Sequence, residues 1–179
     1  MKKWWGTIKD NKISFFFFKA ICLYALWLPL YYYIIEPKTV VDERIITHII
    51  HTTSAILRFC GYKTFEETRD TTFQLVGIVG GNNNPGVWVG TGCNALTLFS
   101  LFAIFILAFP GNPKKKLWFI PLGIFFVHVI NIIRVCALAM TAYYNVNLLS
   151  FNHTYTFTII VYGFIFALWM WWVNKYSKT

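Results

Sequence analysis

The chain has 179 residues, 57% of them hydrophobic, 20% aromatic and only 13% charged, against about 25% charged in an ordinary soluble domain. That charge is too little to cover a solvated surface, which excludes a soluble globule and points to an integral membrane protein. The net charge of +9 does not mark a nucleic-acid face, because the lysines sit at the ends of apolar runs and not along one surface.

The first apolar run covers about residues 13–35. Lys19 within it can return its ammonium to the nearer interface, and a membrane helix tolerates Pro29. No small-residue cleavage site follows, and the run ends in the interfacial cluster Tyr31-Tyr32-Tyr33. An uncleaved anchor is therefore expected rather than a signal peptide.

Residues 36–92 form a long polar segment of near-neutral charge, with Glu36, Asp42, Glu43, Glu66, Glu67 and Asp70 against Lys38, Arg44, Arg58, Lys63 and Arg69. From Val41 to Cys60, apolar residues recur at helical spacing, which predicts an amphipathic helix lying on the membrane or roofing a bundle. Thr72–Val79 and Val87–Val89 read as two strands joined by the glycine- and asparagine-rich residues 80–86, a hairpin.

Three further apolar runs follow, at about residues 94–109, 117–144 and 155–173. A crossing helix needs about 20 residues, so the first of these is short and the second long enough to tilt or project. Lys2, Lys3, Lys9 and Lys12 precede the first run, Lys114 to Lys116 fill the turn between the second and third, and Lys175 and Lys178 close the chain. For four crossings these groups share one side, which the positive-inside rule makes cytoplasmic. The fold class expected is an all-α polytopic membrane protein, one membrane domain over residues 1–179. It has four transmembrane helices and a small extracytoplasmic segment made of an amphipathic helix plus a β-hairpin.

Arg134 is the most informative residue. It lies 17 positions after Leu117, a rise of about 25 Å, which puts a cation near the outer interface but inside a membrane helix. Such a group is costly and marks a functional site unless it reaches the headgroups. Asn131 and His128 precede it at one-turn intervals. Cys93 begins the second span at the same face, where the positive end of a helix dipole favours a thiolate; Thr97 and Ser100 continue its polar face. His153 opens the last span, again at that face. A thiolate to attack a carbonyl, an imidazole to move the proton and a guanidinium to hold the negative charge suffice for acyl transfer.

Other pairings are weaker. Ser100 with His128 lacks a glycine-framed serine motif, and His48 with His51 lacks a third metal ligand. A Cys60–Cys93 disulfide would block the chemistry, and Cys22 and Cys136 read as small buried residues. Asn152-His153-Thr154 matches a glycosylation sequon, a pattern common by chance. No CxxC pair or zinc pattern is present.

The blocks Gly92-Cys93-Asn94-Ala95, Asn131-Ile132-Ile133-Arg134 and Asn152-His153-Thr154-Tyr155-Thr156-Phe157, with a span ending Leu168-Trp169-Met170-Trp171-Trp172, stand in this order on successive apolar runs. Over about residues 90–173 the chain resembles the exosortase/archaeosortase family, and its short Bacteroidetes-type members more than the longer ones. It departs at Ala95, where many members have glycine shortly after the cysteine, so the backbone there is the expected point of difference.

The resemblance implies a membrane cysteine transpeptidase or protease of the bacterial cytoplasmic membrane, with both termini inside and its active site outside. Cys93 would be the nucleophile that forms a thioester, Arg134 the charge stabiliser and His153 the proton carrier, with Asn94 and Asn131 in support. Its partners would be membrane lipid and secreted proteins bearing a C-terminal motif, an apolar helix and a basic tail. The acyl group passes to an envelope acceptor, with no cofactor, metal or nucleic acid required. The rival expectation is a non-enzymatic scaffold or assembly subunit in which Arg134 and His153 only pair helices.

Overall fold

The computed structural model describes residues 12–35, 40–80 and 86–176. Lys2, Lys3, Lys9, Lys38, Lys178 and most of the loop between the predicted strands lie outside the described residues. Helix α1 runs Lys12–Leu30 with Pro29 inside it. Proline removes a backbone donor, and the helix passes directly into a wider π-helical turn, Tyr31–Ile35.

Helix α2, Val40–Phe59, buries Ile46, Ile49, Ile50, Thr53, Ser54 and Leu57, the three-and-four spacing of one helical face. That face meets Val76, Val89, Ile132, Val135 and Cys136. The expected amphipathic helix is present, with its apolar face turned to the sheet and to the long helix that carries Arg134.

Strands β1 (Thr64–Asp70), β2 (Phe73–Ile78) and β3 (Val87–Val89) form an antiparallel sheet in that order. The expected hairpin is β2–β3, with Leu75 opposite Trp88 and Phe73 stacked on the Trp88 ring at 4.9 Å. The segment is larger than expected by one strand. The sequence TFEETRD of β1 carries no apolar alternation, and its outer residues stay exposed; pairing with the buried β2 holds it. Gly86 adopts φ +78, and a side chain there would strike Leu75 and the Val76 carbonyl.

Helix α3, Leu96–Ala108, is only 13 residues long, about 20 Å. Helix α4, Pro113–Tyr144, has 32 residues, about 48 Å. Asn112 starts α4 by accepting from Lys114 N, and Pro113 occupies its first turn, where no backbone donor is needed. Lys116 Nζ caps α3 from below, donating to the carbonyls of Leu107 and Phe109. Helix α5, Phe157–Tyr176, is entered through a π-helical turn, Asn152–Thr156.

Among the described residues, three helical segments are long and apolar enough to cross a membrane: Ser14–Ile34, Pro113–Tyr144 and Val146–Tyr176. The fourth expected span is the 13-residue α3, shorter than a bilayer core of about 30 Å and so not a full crossing by its own length.

The length of α4 organises the site. Its first half packs Phe119 and Val127 against Phe102, Ile106, Val161, Ile165, Leu168 and Trp172 in the helix bundle. Its last turns carry Leu138, Ala139 and Ala142 into contact with Leu57 of α2, Ile78 of β2 and Val87 of β3. Asn131 and Arg134 lie along α4 between these two regions, where the helix bundle meets α2 and the sheet.

Candidate active site

Strand β3 leads through Gly90 into a single 3-10 turn, Thr91–Cys93, closed by Cys93 N donating to Gly90 O at 2.9 Å. Asn94 and Ala95 then connect to α3. Ala95 has φ 65 and ψ 6, a left-handed conformation held by no other described non-glycine residue. The departure at Ala95 is thus a departure at the position where glycine would be unstrained. Cys93 sits three residues ahead of the first residue of α3, so the thiol belongs to a separate turn and does not begin the helix.

The three expected site residues meet. Cys93 Sγ lies 3.4 Å from His153 Nε2, and Arg134 Nη2 lies 3.3 Å from the same nitrogen. A guanidinium only donates. Nε2 must therefore offer its lone pair to Arg134, which places the imidazole in the neutral form with its proton on Nδ1. His153 stands on the wide π-helical turn, a geometry frequent at functional sites, with its carbonyl accepting from Thr158 Oγ1 at 3.3 Å.

The supporting residues are also in place. Asn131 is fully buried and donates through Nδ2 to the Cys93 carbonyl at 2.9 Å. Asn94 accepts from Leu96 N at 2.9 Å and donates to Asp42. Asp42 is a residue that the sequence reading treated only as one acid of the outer segment.

Beside the thiol turn opens a cavity of about 290 Å³, lined in part by Gly92, Asn94, Ala95, Thr97, Arg134 and Thr158. Among the described residues no carboxylate pairs with Arg134, and its buried Nε has no hydrogen-bond partner. The Arg134 guanidinium thus stands at the wall of this cavity, paired with no carboxylate among the described residues.

The remaining candidates separate. Ser100 Oγ donates to the carbonyls of Leu96 and Thr97, while His128 Nε2 faces His48 Nδ1 at 3.0 Å. His51 turns instead to Glu66, at 2.9 Å. No group of three or more metal-ligating side chains occurs among the described residues. Cys60 and Cys93 are free thiols, and Cys136 is buried as expected. Cys22 is exposed: α1 lies at the edge of the bundle, so its outward face has no protein neighbour to cover it.

No curated protein and no solved structure matches the chain. The family model of transmembrane exosortases matches residues 10–175, which includes every residue of the site. The chain belongs to the transmembrane exosortase family.

Proposed function

We propose that this protein is a membrane cysteine transpeptidase that cleaves C-terminal sorting signals from secreted proteins at the outer face of the bacterial cytoplasmic membrane. The observation that carries the reading is the approach of the Cys93 thiol and the Arg134 guanidinium to one nitrogen of His153. Among the described residues Arg134 pairs with no carboxylate, and it lines an open cavity; neither is required of a residue that merely pairs helices.

In the resting site Arg134 occupies the Nε2 lone pair. When the substrate carbonyl enters the cavity, the guanidinium moves to its oxygen and frees Nε2 for the thiol proton. Sγ attacks the carbonyl carbon, the proton passes to Nε2, and Arg134 holds the oxyanion. Collapse breaks the peptide bond, and Nε2–H supplies the proton that the departing amine needs. The remaining thioester on Cys93 is opened by an envelope acceptor, or by water, whose proton goes to His153 and then back to sulfur.

The topology in this reading has four membrane elements, with both termini and Lys114 to Lys116 cytoplasmic. The short α3 reaches only part-way and carries the thiol turn at its outer end. Substrate helix and lipid lie beside the bundle, and residues 40–80 form the roof of the site.

The test is cleavage of a co-expressed reporter, a secreted domain fused to a C-terminal motif, apolar helix and basic tail taken from the source bacterium. Cys93→Ala and Cys93→Ser should abolish tail removal at equal protein level. Retained cleavage in both would leave the scaffold reading.

A further inference from the structure

The turn that carries Cys93 is gripped from two sides, and one grip originates outside the three reacting residues. Asn131 holds the Cys93 carbonyl from α4. On the other flank Asn94, 1% exposed, uses both ends of its amide, with Nδ2 donating to Asp42 Oδ1 and Oδ1 accepting from Leu96 N.

Asp42 is itself 1% exposed, whereas Glu66, Glu67 and Asp70 of the same outer segment are exposed. An acid in the first turn of α2 is favoured by the helix dipole while it remains in water. Burial is not needed for that effect and is costly unless the carboxylate is hydrogen-bonded. Here the burial brings the carboxylate onto the residue that follows the thiol.

The polarity of the contact does the positioning. A carboxylate accepts, so Asn94 must turn Nδ2 toward it, and that leaves Oδ1 for Leu96 N. The second bond closes the turn over Ala95, whose left-handed backbone is unfavourable for a residue with a Cβ and so needs an external hold. With the amide reversed, oxygen would face carboxylate and the bond to Leu96 N would be lost.

We infer that Asp42 is a positioning residue, whose carboxylate acts through Asn94 to fix the turn that presents the Cys93 thiol to His153. It rests on the reading of Cys93 as nucleophile, and its test separates the two. The full-length protein is compared in spheroplasts as wild type, Asn94→Asp, and the exchange Asp42→Asn with Asn94→Asp. A membrane-impermeant maleimide is applied, and Cys93 labelling is measured by mass spectrometry against the exposed Cys60 of the same chain.

Asn94→Asp sets two carboxylates face to face and should slow Cys93 labelling about tenfold, the order of effect of a charge-assisted hydrogen bond. The exchange keeps both hydrogen bonds, with donor and acceptor swapped between positions 42 and 94 while Leu96 N still donates to an oxygen of residue 94, and should bring the rate back to within about threefold of wild type. An exchange variant no faster than Asn94→Asp alone overturns the inference, because a role confined to starting α2 gives no such rescue. If Asn94→Asp alone fails to accumulate, accumulation becomes the readout, with recovery in the exchange supporting the inference and absence overturning it. Reporter cleavage is run in parallel. Persistence of cleavage in Cys93→Ala would remove the transpeptidase reading, while the maleimide ratios still decide the role of Asp42.

Discussion

Arg134 donates to the very nitrogen of His153 that faces the Cys93 thiol, at 3.3 Å on one side and 3.4 Å on the other. Proton acceptance from sulfur and hydrogen bonding to arginine thus compete for one lone pair. In the proposed mechanism the guanidinium leaves that nitrogen for the substrate carbonyl, and the imidazole then takes up the thiol proton.

That competition makes Arg134 sensitive to truncation. Arg134→Ala should lower the rate of reporter cleavage by about 10²–10³, the usual effect of losing an oxyanion donor. Arg134→Lys should lie between Ala and wild type, because it keeps the charge but not the planar fork. A rate for Arg134→Ala within about threefold of wild type would contradict a role on this scale.

Ala95 predicts a gain. Ala95→Gly removes the Cβ penalty of the left-handed conformation and should stabilise the protein by about 1 kcal/mol. Ala95→Val should destabilise it, since a branched side chain fits this region worst. Thermal unfolding in detergent reads both, and a lower midpoint for Ala95→Gly would contradict the account of this turn.

Gly123 sets the spacing of α3 against α4. A methyl group there would fall on the Phe102 ring, which is fully buried. Gly123→Ala should cost about 1–3 kcal/mol by overpacking. An unchanged midpoint would mean that the two helices separate more readily than their packing indicates.

The segment that carries α2 and the sheet should be sensitive to alkali. Tyr62 shares a 2.7 Å hydrogen bond with Tyr144. That bond, followed by lost hydration and the neighbouring Tyr144, Tyr143 and Cys60, raises the Tyr62 phenol above its ordinary value of 10.0. A group raised in the folded state contributes stability that is present below its unfolded value and lost as pH climbs through the folded one. The unfolding midpoint should therefore hold up to about pH 10 and fall above it, with a shallower fall in Tyr62→Phe. An identical pH profile in Tyr62→Phe would show that the pair contributes nothing.

The residues that meet at the candidate site were legible in the sequence because membrane helices carry polar groups at a cost. Arg134 and Asn131 stand out in an apolar run for that reason, and a thiol and an imidazole at the same depth completed the pattern. The apolar face of α2 and the hairpin β2–β3 were legible from their periodicity. Asp42 was not, since an acid in a polar, near-neutral segment has no feature that announces burial, and its partner Asn94 is 52 residues away. Nor was β1, whose pairing with β2 supplies what its own pattern lacks. Cys22 was misread because burial of a small residue on α1 depends on which face meets the bundle, and the sequence does not mark that face.

The central claim is that the Cys93 sulfur becomes covalently bonded to substrate, and mass spectrometry of the protein isolated with its reporter tests it most directly. The account predicts an acyl adduct of the tail-less reporter on the peptide containing Cys93, removed by hydroxylamine as a thioester. An adduct on another residue, or tail removal continuing after Cys93 has been fully alkylated, would contradict it.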